Sequence, residues 1–556
     1  MIKNLTLKFG RLPGLPPISI QTTPVTVFVG PNNSGKSRVL SEIHRFCTDG
    51  HKNMTDVVLD HVEFDEFSSE KAEEKIAHVT LHPHATESVH PNHVIVGKKG
   101  VRHQLPKEEL RLALTHANNR VAQFCQWYLT YNTLILDGKS RINLVNQQHA
   151  GDLQQPPTTS FQILFHDDRK RKEVRRIILD AFGTHFVVDP THLGHFRLRL
   201  SSRAPLTDDE ERGIHDEAVR FHAAALSIDQ ASDGVKAFTG MITEIIAGDP
   251  ALLFIDEPEA FLHPSLSFNL GKEIAQASSG SEKRLFVSTH SPQFVMGCIQ
   301  SGAPVNIVRL TYRDGVATAR VLPNDDILRL MRNPLLRSTG VMSGLFYEFV
   351  VVTESDADRA FYQEINERLL RHMPDLGIPN CLFLNAQNKQ TVQTLIKPLR
   401  ELGIPAAGIV DVDVLKDGGN VWSNFLEGGF IPEIERNALA TLRAAIKQKF
   451  DLTGKDMKRE GGINILNNGD KEAASNLLSR LSEYGLFVIE RGELESWLPQ
   501  LQANGHGPNW LIQAFEKMGD DPDSDNYLKP SNDDVWAFLG VVKNWLVNPR
   551  RKGIPT

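Results

Sequence analysis

The segment that most restricts how this chain can fold is GPNNSGKS, at Gly30–Ser37. An apolar strand pattern, VTVFV, comes directly before it, and a helical pattern, SRVLSEIHRF, overlaps its end. Spacing and context match the phosphate-binding loop GxxxxGK[ST], in which backbone N–H groups at a helix N-terminus receive phosphates. We therefore expect Lys36 to reach the β- and γ-phosphates and Ser37 to hold Mg²⁺. The other expected nucleotide contacts are Gly30, Asn33, Ser34 and Gly35.

A second motif supplies the carboxylates that a nucleotide hydrolase needs. In ALLFIDEPEAFLHP, the apolar run predicts a buried parallel strand that ends in Asp256 and Glu257. Asp256 would hold magnesium and its water, and Glu257 would act as the base that orients the attacking water. A later strand, RLFVSTH, ends in His290, which we expect to hydrogen-bond the γ-phosphate. The two motifs together predict an ATPase with ATP and Mg²⁺ as its ligands.

Length and composition exclude several other classes of protein. A chain of 556 residues exceeds a single core, so two or three domains are expected. We find neither an apolar run of membrane-spanning length nor a signal-peptide core, which predicts a cytoplasmic protein without a membrane partner. Its four cysteines form no CxxC pair, which argues against a zinc or disulfide framework. The net charge of −7 does not indicate nucleic-acid binding, and basic clusters such as Arg169–Lys172 are interpreted as solvated faces.

Acidic residues follow two apolar strand patterns in the second half of the chain. FVVVTESDADRAFY predicts a strand that ends at Glu354 and a helix with Asp358 in its first turns. AAGIVDVDVL predicts another strand, with Asp411 and Asp413 at its end. Carboxylates gathered at the ends of neighbouring parallel strands need cations, and such hard oxygen ligands select Mg²⁺ or Mn²⁺. This arrangement suits metal-dependent phosphodiester chemistry.

The patterns divide the chain into two α/β domains. The ATPase domain is expected to occupy residues 1–335, with an insertion or dimerisation region at about 45–225. Residues 336–556 are expected to form the second α/β domain, with helical additions in its C-terminal part. Within these domains, the pattern predicts one helix over Lys107–Leu129 and a late strand at Leu486–Glu490.

The order of motifs in the first domain resembles a known branch of ATPases. SDGVKAF, at Ser232–Phe238, resembles a degenerate ABC signature and precedes DEPE, LHP and THSP. The set is similar to the SMC/RecF/OLD branch of ABC-type ATPases. This resemblance implies a head-to-tail ATP sandwich and hence at least a homodimer, in which Ser232 and Gly234 contact ATP bound to the other protomer. It also implies that the insertion holds dimerisation or DNA-contact surfaces.

The second domain resembles a TOPRIM domain, in the version found in OLD (overcoming lysogenization defect) family nucleases. The glycine usual after the strand glutamate is Ser355 here, which leaves the backbone turn open to question. RGELESWL resembles the family's GDLE-like segment and implies Glu493 and Glu495 as further metal ligands. The family's late catalytic lysine is matched best by Lys529, with Lys543 as the alternative.

An ABC-type ATPase joined to a TOPRIM domain resembles OLD endonucleases over nearly the whole chain. The resemblance implies an ATP-regulated, metal-dependent DNA endonuclease of antiphage defence, similar to the Gabija nuclease subunit and retron-linked effectors. A defence partner is then expected, such as a helicase or a reverse transcriptase with its noncoding RNA. Two alternatives remain open: a RecF-like DNA-binding ATPase with an inactive TOPRIM domain, and a partner-controlled toxin that cuts RNA such as tRNA.

Overall fold

The computed structural model divides the chain into two compact units, Met1–Asp325 and Asp326–Thr556. Sequence patterns place the boundary ten residues later, near residue 335. None of the helices in the described part of the chain is long and apolar enough to cross a bilayer. The described residues are 1–83, 87–98, 101–154, 157–248, 250–280, 282–322, 327–328, 331–334, 336 and 340–555.

The first unit is built on a six-stranded sheet in the order β15-β14-β3-β13-β12-β7. Its strands are parallel except for the β14–β15 pair. Three smaller sheets, β2-β1-β4, β5-β6 and β8 to β11, accompany it. The strands are β1 Ile2–Leu7, β2 Ser19–Gln21, β3 Val25–Val29, β4 Leu59–Phe64, β5 His93–Lys98, β6 Val101–Pro106, β7 Thr133–Leu136, β8 Gln148–His149, β9 His185–Asp189, β10 His195–Ser201, β11 Leu226–Ser227, β12 Leu252–Asp256, β13 Arg284–Ser288, β14 Val305–Arg313 and β15 Val316–Leu322.

Helices follow the strands of the main sheet, as expected for parallel connections. Strand β3 is buried along its whole length and leads into α1, so the strand–loop–helix order predicted for the phosphate loop is present. The helices of this unit are α1 Lys36–Asp49, α2 Ser69–Val79, α3 Lys107–Thr115, α4 Val121–Trp127, α5 Gly138–Asn143, α6 Ser160–His166, α7 Asp168–Phe182, α8 Asp208–Arg212, α9 Asp216–Ala224, α10 Asp233–Thr243, α11 Pro264–Ser278 and α12 Pro292–Gln300.

Two features of the first unit differ from the sequence expectations. The predicted insertion at about 45–225 contributes to the core sheets, since β4 pairs with β1 and β7 pairs with β12. The predicted helix Lys107–Leu129 is two helices, α3 and α4. The break holds Asn118, whose side-chain amide donates to the carbonyl oxygen of Phe64 (2.9 Å) and accepts from its N–H (2.8 Å). A side chain that hydrogen-bonds to backbone groups in this way competes with continuation of the helix.

The basic clusters of the first unit are paired with buried acids. Arg171 and Arg175 both contact Glu211, whose side chain is 1% exposed. Arg197 and Arg199 both contact Asp189, which is fully buried. These arginines stabilise the packing of α7, β9 and β10, so the interpretation of a solvated face is wrong for them.

The second unit holds a four-stranded parallel sheet in the order β17-β16-β18-β19. The carboxyl ends of β16, β18 and β19 therefore lie side by side at one edge. The predicted strand at Leu486–Glu490 is present, and it is shorter at its C-terminal end. The elements are β16 Phe349–Thr353, β17 Cys381–Asn385, β18 Ala406–Val410 and β19 Leu486–Val488, with helices α13 Asp356–His372, α14 Val392–Glu401, α15 Gly419–Gly428, α16 Glu433–Thr453, α17 Asn468–Ser482, α18 Pro508–Met518 and α19 Asp534–Val547.

Candidate nucleotide site and acidic cluster

The phosphate loop has a backbone that its glycines make possible. Gly30 has φ +146°, and a Cβ there would lie 2.1 Å from the carbonyl oxygen of Leu310. Gly35, the residue before α1, has φ +92°. Both values lie in the region that side chains disfavour. The loop therefore wraps closely in front of α1, with Asn33 and Ser37 exposed to solvent.

Lys36 lies folded against this loop. Its Nζ donates to the carbonyl oxygens of Gly30 (2.9 Å) and Pro31 (2.7 Å). Burial lowers the pKa of Lys36 to about 8, while the nearby carboxylates of Glu257 and Asp256 oppose the shift. The buried hydroxyl oxygen of Ser34 has no hydrogen-bond partner among the described residues. An anion with several acceptor oxygens would satisfy both groups, so the loop fits a nucleotide phosphate.

The predicted hydrolytic residues lie on two adjacent strand ends. Asp256 ends β12 beside Ser288 of β13, whose hydroxyl donates to Asp256 Oδ1. The N–H of Glu257 donates to the Ser288 carbonyl oxygen at 2.8 Å, and Glu257 has φ +51°. His290 Nε2 lies 3.6 Å from Glu257 Oε1. Burial, followed by the charge of Lys36, lowers the pKa of His290, which favours a neutral ring.

Two residues that the sequence analysis missed hold these groups in place. Glu259 accepts the backbone N–H of His290 on Oε1 at 2.6 Å, and its burial raises its pKa. Arg141, on the short helix α5, is 1% exposed and donates through Nη1 to the main-chain carbonyl of Glu257. Its Nε is buried without a partner among the described residues. Glu259 belongs to the DEPE motif itself, whereas Arg141 lies in a stretch without a readable pattern.

The signature-like segment begins helix α10. Ser232 is its exposed N-terminal cap residue, and its hydroxyl makes no capping hydrogen bond. A Cβ on Gly234 would lie 2.5 Å from the carbonyl oxygen of Phe261, so only glycine allows α10 to approach the turn after Glu257. The Phe261 ring is 58% exposed. Ser232 is thus accessible to a second molecule.

The acids predicted in the second unit converge. One carboxylate oxygen from each of Glu354, Asp411 and Asp413 lies within 4.8 Å of the others, at the carboxyl ends of β16 and β18. Glu354 Oε1 accepts the Asp411 N–H at 2.8 Å. Burial, and then the charge of Asp411, raises the pKa of Glu354 well above its ordinary value. Burial raises the pKa of Asp411 to about 7.

This cluster fits a divalent cation. Like charges in a buried site disfavour one another, and a cation removes that penalty. Asp413 Oδ1 is buried and has no hydrogen-bond partner in the described part of the chain, so it is available as a ligand. All of the donors are carboxylate oxygens, the chemistry that Mg²⁺ and Mn²⁺ accept.

Two lysines absent from the sequence analysis neutralise part of the cluster. Lys458 Nζ lies 2.7 Å from Asp411 Oδ2, and Lys389 Nζ lies 2.9 Å from Asp413 Oδ2. The predicted catalytic lysine, Lys529, is exposed, and its alternative, Lys543, donates to the carbonyl oxygens of Pro374 and Asp375. The structure therefore places Lys458, rather than either sequence candidate, against the acids. Lys458 could not be identified from the sequence, because the residues around it form no recognisable motif.

The remaining predicted ligands have different environments. Asp358 accepts from Ser355 N (3.0 Å) and Ser355 Oγ (2.5 Å), so its carboxylate closes a capping box at the start of α13. Both bonds end on Oδ2, and the role of Asp358 as a metal ligand stays a prediction. Ser355 has φ −133°, so the turn after β16 does not require the family's glycine. Glu493 and Glu495 lie in a separate group with His506.

Comparison with known proteins supports the assignment of the first unit. A family model described as "AAA domain, putative AbiEii toxin, Type IV TA system" matches residues 157–296. That stretch includes the signature-like segment, the DEPE strand and His290. Together with the loop geometry, the match confirms the predicted ATP-binding P-loop ATPase domain. No curated protein matches the chain.

Solved structures of SMC heads are similar to part of the chain. An SMC head bound to the C-winged helix domain of ScpA has 15% identity and a TM-score of 0.34, with 59% of this chain and 99% of that chain covered. The SMC head domain from Thermotoga maritima has 13% identity and a TM-score of 0.30, with 58% and 99% covered. A Pyrococcus furiosus SMC head with an extended coiled coil, bound to the C-terminal domain of ScpA, has 13% identity and a TM-score of 0.30, with 60% and 98% covered.

The contact between Arg141 and the Glu257 carbonyl predicts a positioning role. Arg141→Met removes the donor that holds the base in its left-handed backbone conformation. We expect the kcat for ATP hydrolysis to fall roughly ten- to a hundredfold, because small displacements of a catalytic group are costly. ATP affinity should change much less, since Arg141 contacts neither the loop nor Lys36. Single-turnover hydrolysis and nucleotide titration separate the two quantities.

Arg171→Met is the matched control, because Arg171 is equally buried and contacts Glu211 instead of the nucleotide site. It should lower the melting temperature and leave kcat nearly unchanged in the folded fraction. Equal losses of kcat in both variants would show that Arg141 acts only through general stability.

The raised carboxyl pKa values predict how stability depends on pH. A carboxyl group whose pKa is higher in the folded state retains its proton while the unfolded chain ionises, so stability falls as pH rises. For Asp411 this loss begins above the ordinary carboxyl range and is complete near its folded pKa of about 7. Glu354→Gln removes one charge and retains an acceptor for the Asp411 N–H. In EDTA, the variant should melt higher than the parent at pH 8 and similarly near pH 4.

Divalent cations should reverse this difference, because only the parent retains three carboxylates. Mg²⁺ or Mn²⁺ should raise the melting temperature of the parent more than that of Glu354→Gln. Glu367→Gln, on the exposed surface of α13, is the control and should follow the parent throughout. A difference in melting temperature between Glu354→Gln and the parent that does not grow from pH 4 to pH 8 in EDTA would contradict the shift.

Proposed function

We propose that this chain is an ATP-regulated, divalent-metal-dependent DNA endonuclease. The observation that carries the proposal is the convergence of Glu354, Asp411 and Asp413 within 4.8 Å at the carboxyl ends of adjacent parallel strands. Structural acids at strand ends are common, but here Asp411 is buried, Glu354 and Asp413 are half-buried, and their close approach disfavours ionisation of all three unless a cation is bound. The choice of DNA as the substrate rests on the resemblance to the TOPRIM domain of OLD nucleases. The proposed role in antiphage defence rests on the same resemblance.

Each residue at this site has a distinct proposed role. Bound cations supply activation of water and stabilisation of the leaving oxygen in phosphodiester cleavage. Glu354, Asp411 and Asp413 hold the cations, and the backbone N–H of Asp411 orients the Glu354 carboxylate. Lys458 provides a positive charge beside Asp411 that can pair with a scissile phosphate. This role replaces the one expected for Lys529.

Separate variants should dissociate the two activities. Glu354→Ala and Asp411→Ala each remove one metal-holding carboxylate of the second unit, whereas the nucleotide-site residues belong to the first unit. We expect plasmid cleavage in Mg²⁺ or Mn²⁺ to fall by orders of magnitude, while ATP turnover is retained. Asp413→Ala should behave alike, and EDTA should abolish cleavage by the parent. Lys529→Ala is the control, because its side chain is exposed and we expect it to cut like the parent.

The same assay distinguishes the alternative functions. The description of the matching family model names a toxin, which favours keeping RNA as a second candidate substrate. Plasmid and tRNA should therefore be incubated with the protein side by side. Cleavage of tRNA alone would replace DNA by RNA in the proposal. Intact ATP turnover with no cleavage of either nucleic acid would favour a DNA-binding ATPase with an inactive second unit.

ATP is proposed to act through pairing of two ATPase domains. The exposed Ser232 hydroxyl at the start of α10 supports this proposal, because it is free to contact ATP held by Lys36 and Ser37 of another copy. Such a closed pair persists only while the γ-phosphate remains. Hydrolysis, which depends on Glu257, therefore ends the closed state.

Two variants test this regulation in opposite directions. Glu257→Gln retains the shape and loses the base, so it should bind ATP without hydrolysing it and associate in an ATP-dependent way. Lys36→Ala should bind ATP poorly and show no ATP-dependent association. We expect the two to shift plasmid cleavage in opposite directions, as measured by light scattering and a nicking assay with and without ATP. Identical cleavage by both variants and the parent at every ATP concentration would exclude coupling.

A further inference from the structure

Lys389 reaches the acidic cluster from a connection that carries none of the acids. It begins the short 3₁₀ turn Lys389–Thr391, between β17 and α14. The sheet order is β17-β16-β18, so its contact with Asp413 joins connections on the two sides of β16. The connection is attached to the sheet, because the Ala386 N–H donates to the carbonyl oxygen of Thr353 at the end of β16 (2.9 Å). The lysine is therefore anchored beside the cluster.

The ammonium group of Lys389 contacts Asp413 at two points. Its Nζ donates to Asp413 Oδ2 at 2.9 Å and to the main-chain carbonyl oxygen of the same residue at 3.2 Å. Because one donor group holds both oxygens, the carboxylate is fixed relative to its own backbone. The other carboxylate oxygen, Oδ1, is buried and has no hydrogen-bond partner among the described residues. Lys389 thus leaves one defined oxygen of Asp413 for a further ligand.

Asp417 holds the lysine from another direction. It follows the 3₁₀ turn Val412–Lys416, and its Oδ2 lies 3.1 Å from Lys389 Nζ. Three oxygens therefore surround Nζ within 3.2 Å, which equals in number the three N–H donors of an ammonium group. Protein oxygens occupy this lysine, so it is not available to a substrate phosphate. That separates Lys389 from Lys458, for which a phosphate contact is proposed.

We propose that Lys389, held in place by Asp417, is a positioning residue for the cation of the acidic cluster. By binding Asp413 Oδ2, it reserves Oδ1 for the cation. Hydrogen bonds from outside the ligand set orient metal ligands, and their loss commonly lowers metal affinity by about ten- to a hundredfold. The inference rests on cation binding by the cluster, which is part of the proposed function, and not on cleavage of nucleic acid.

The positive charge of Lys389 has the opposite effect on metal affinity. A fixed positive charge repels a bound cation, so removal of the charge alone would tighten metal binding. Loss of the two hydrogen bonds to Asp413 would weaken it. Because Asp417 offsets part of the charge, we expect the loss of orientation to outweigh the relief of repulsion. The sign of the change in affinity therefore distinguishes a positioning residue from simple charge balance.

Titration with Mn²⁺, followed by electron paramagnetic resonance, measures this sign. The full chain is stripped with EDTA and kept free of nucleotide, and the Mn²⁺ binding that Glu354→Ala removes is assigned to the cluster. Lys389→Met lacks both donors and charge, and it should weaken this binding on the order of tenfold or more. The resonance lines of the bound ion should broaden, since Asp413 is no longer held in one orientation. Lys389→Arg retains donors for both oxygens and should bind Mn²⁺ nearly as the parent does.

Lys397→Met is the matched control, because Lys397 is another lysine of the same unit and is paired with Glu427 instead of the cluster. It should retain the Mn²⁺ affinity and line shape of the parent. Unchanged or tighter Mn²⁺ binding in Lys389→Met would overturn the proposal, as would an equal loss in Lys397→Met.

The same variants distinguish failure of this inference from failure of the proposed function. If Glu354→Ala removes no Mn²⁺ binding, the cluster is not a cation site, and both the positioning role and the nuclease proposal fail. If Lys389→Met weakens Mn²⁺ binding but Glu354→Ala still cuts plasmid, the positioning role stands and the nuclease proposal fails.

Discussion

Both units of this protein depend on one electrostatic constraint: carboxylates gathered at the carboxyl ends of parallel strands must be balanced by positive charge. A parallel sheet brings these strand ends to one edge, and the helices covering its faces hold the acids close together there. The first unit meets the constraint with Lys36 and Arg141 beside Asp256 and Glu257. In the second unit, Lys389 and Lys458 contact the acids directly.

The two sites differ in which buried polar atoms have no hydrogen-bond partner among the described residues. In the first unit, the orphaned atom in the loop is a hydroxyl, Ser34 Oγ, which suits an incoming phosphate. In the second, the unsatisfied atoms beside the acidic cluster include the carboxylate oxygens Asp413 Oδ1 and Glu493 Oε2, which suit an incoming cation, whereas the first unit's unsatisfied Glu259 Oε2 lies beside Lys36 and Arg141. Since a buried polar atom without a partner is costly, the type of atom left over indicates the type of ligand.

Motifs contained in one strand–turn–helix were predictable. GPNNSGKS and DEPE follow continuous apolar strands, so their loop and acids could be placed without the structure. Secondary structure was less predictable where a single side chain overrides the pattern: Asn118 breaks a helix by bonding to Phe64 of a distant strand. Asp358 fits a metal-ligand pattern in the sequence, and the structure adds a contact that the pattern did not indicate, the capping box with Ser355.

The sequence by itself determined the phosphate loop, its hydrolytic acids and the strand ends that carry Glu354, Asp411 and Asp413, because local hydrophobic pattern and turn chemistry specify all of these. Only the tertiary structure decided which cations face these acids. The contact of Asp411 with Glu354 spans 57 residues, and that of Arg141 with the Glu257 carbonyl spans 116. Lys458 and His506 likewise reach the acids through loops whose path depends on packing. Such contacts depend on the order of strands in the sheet, which no local pattern encodes.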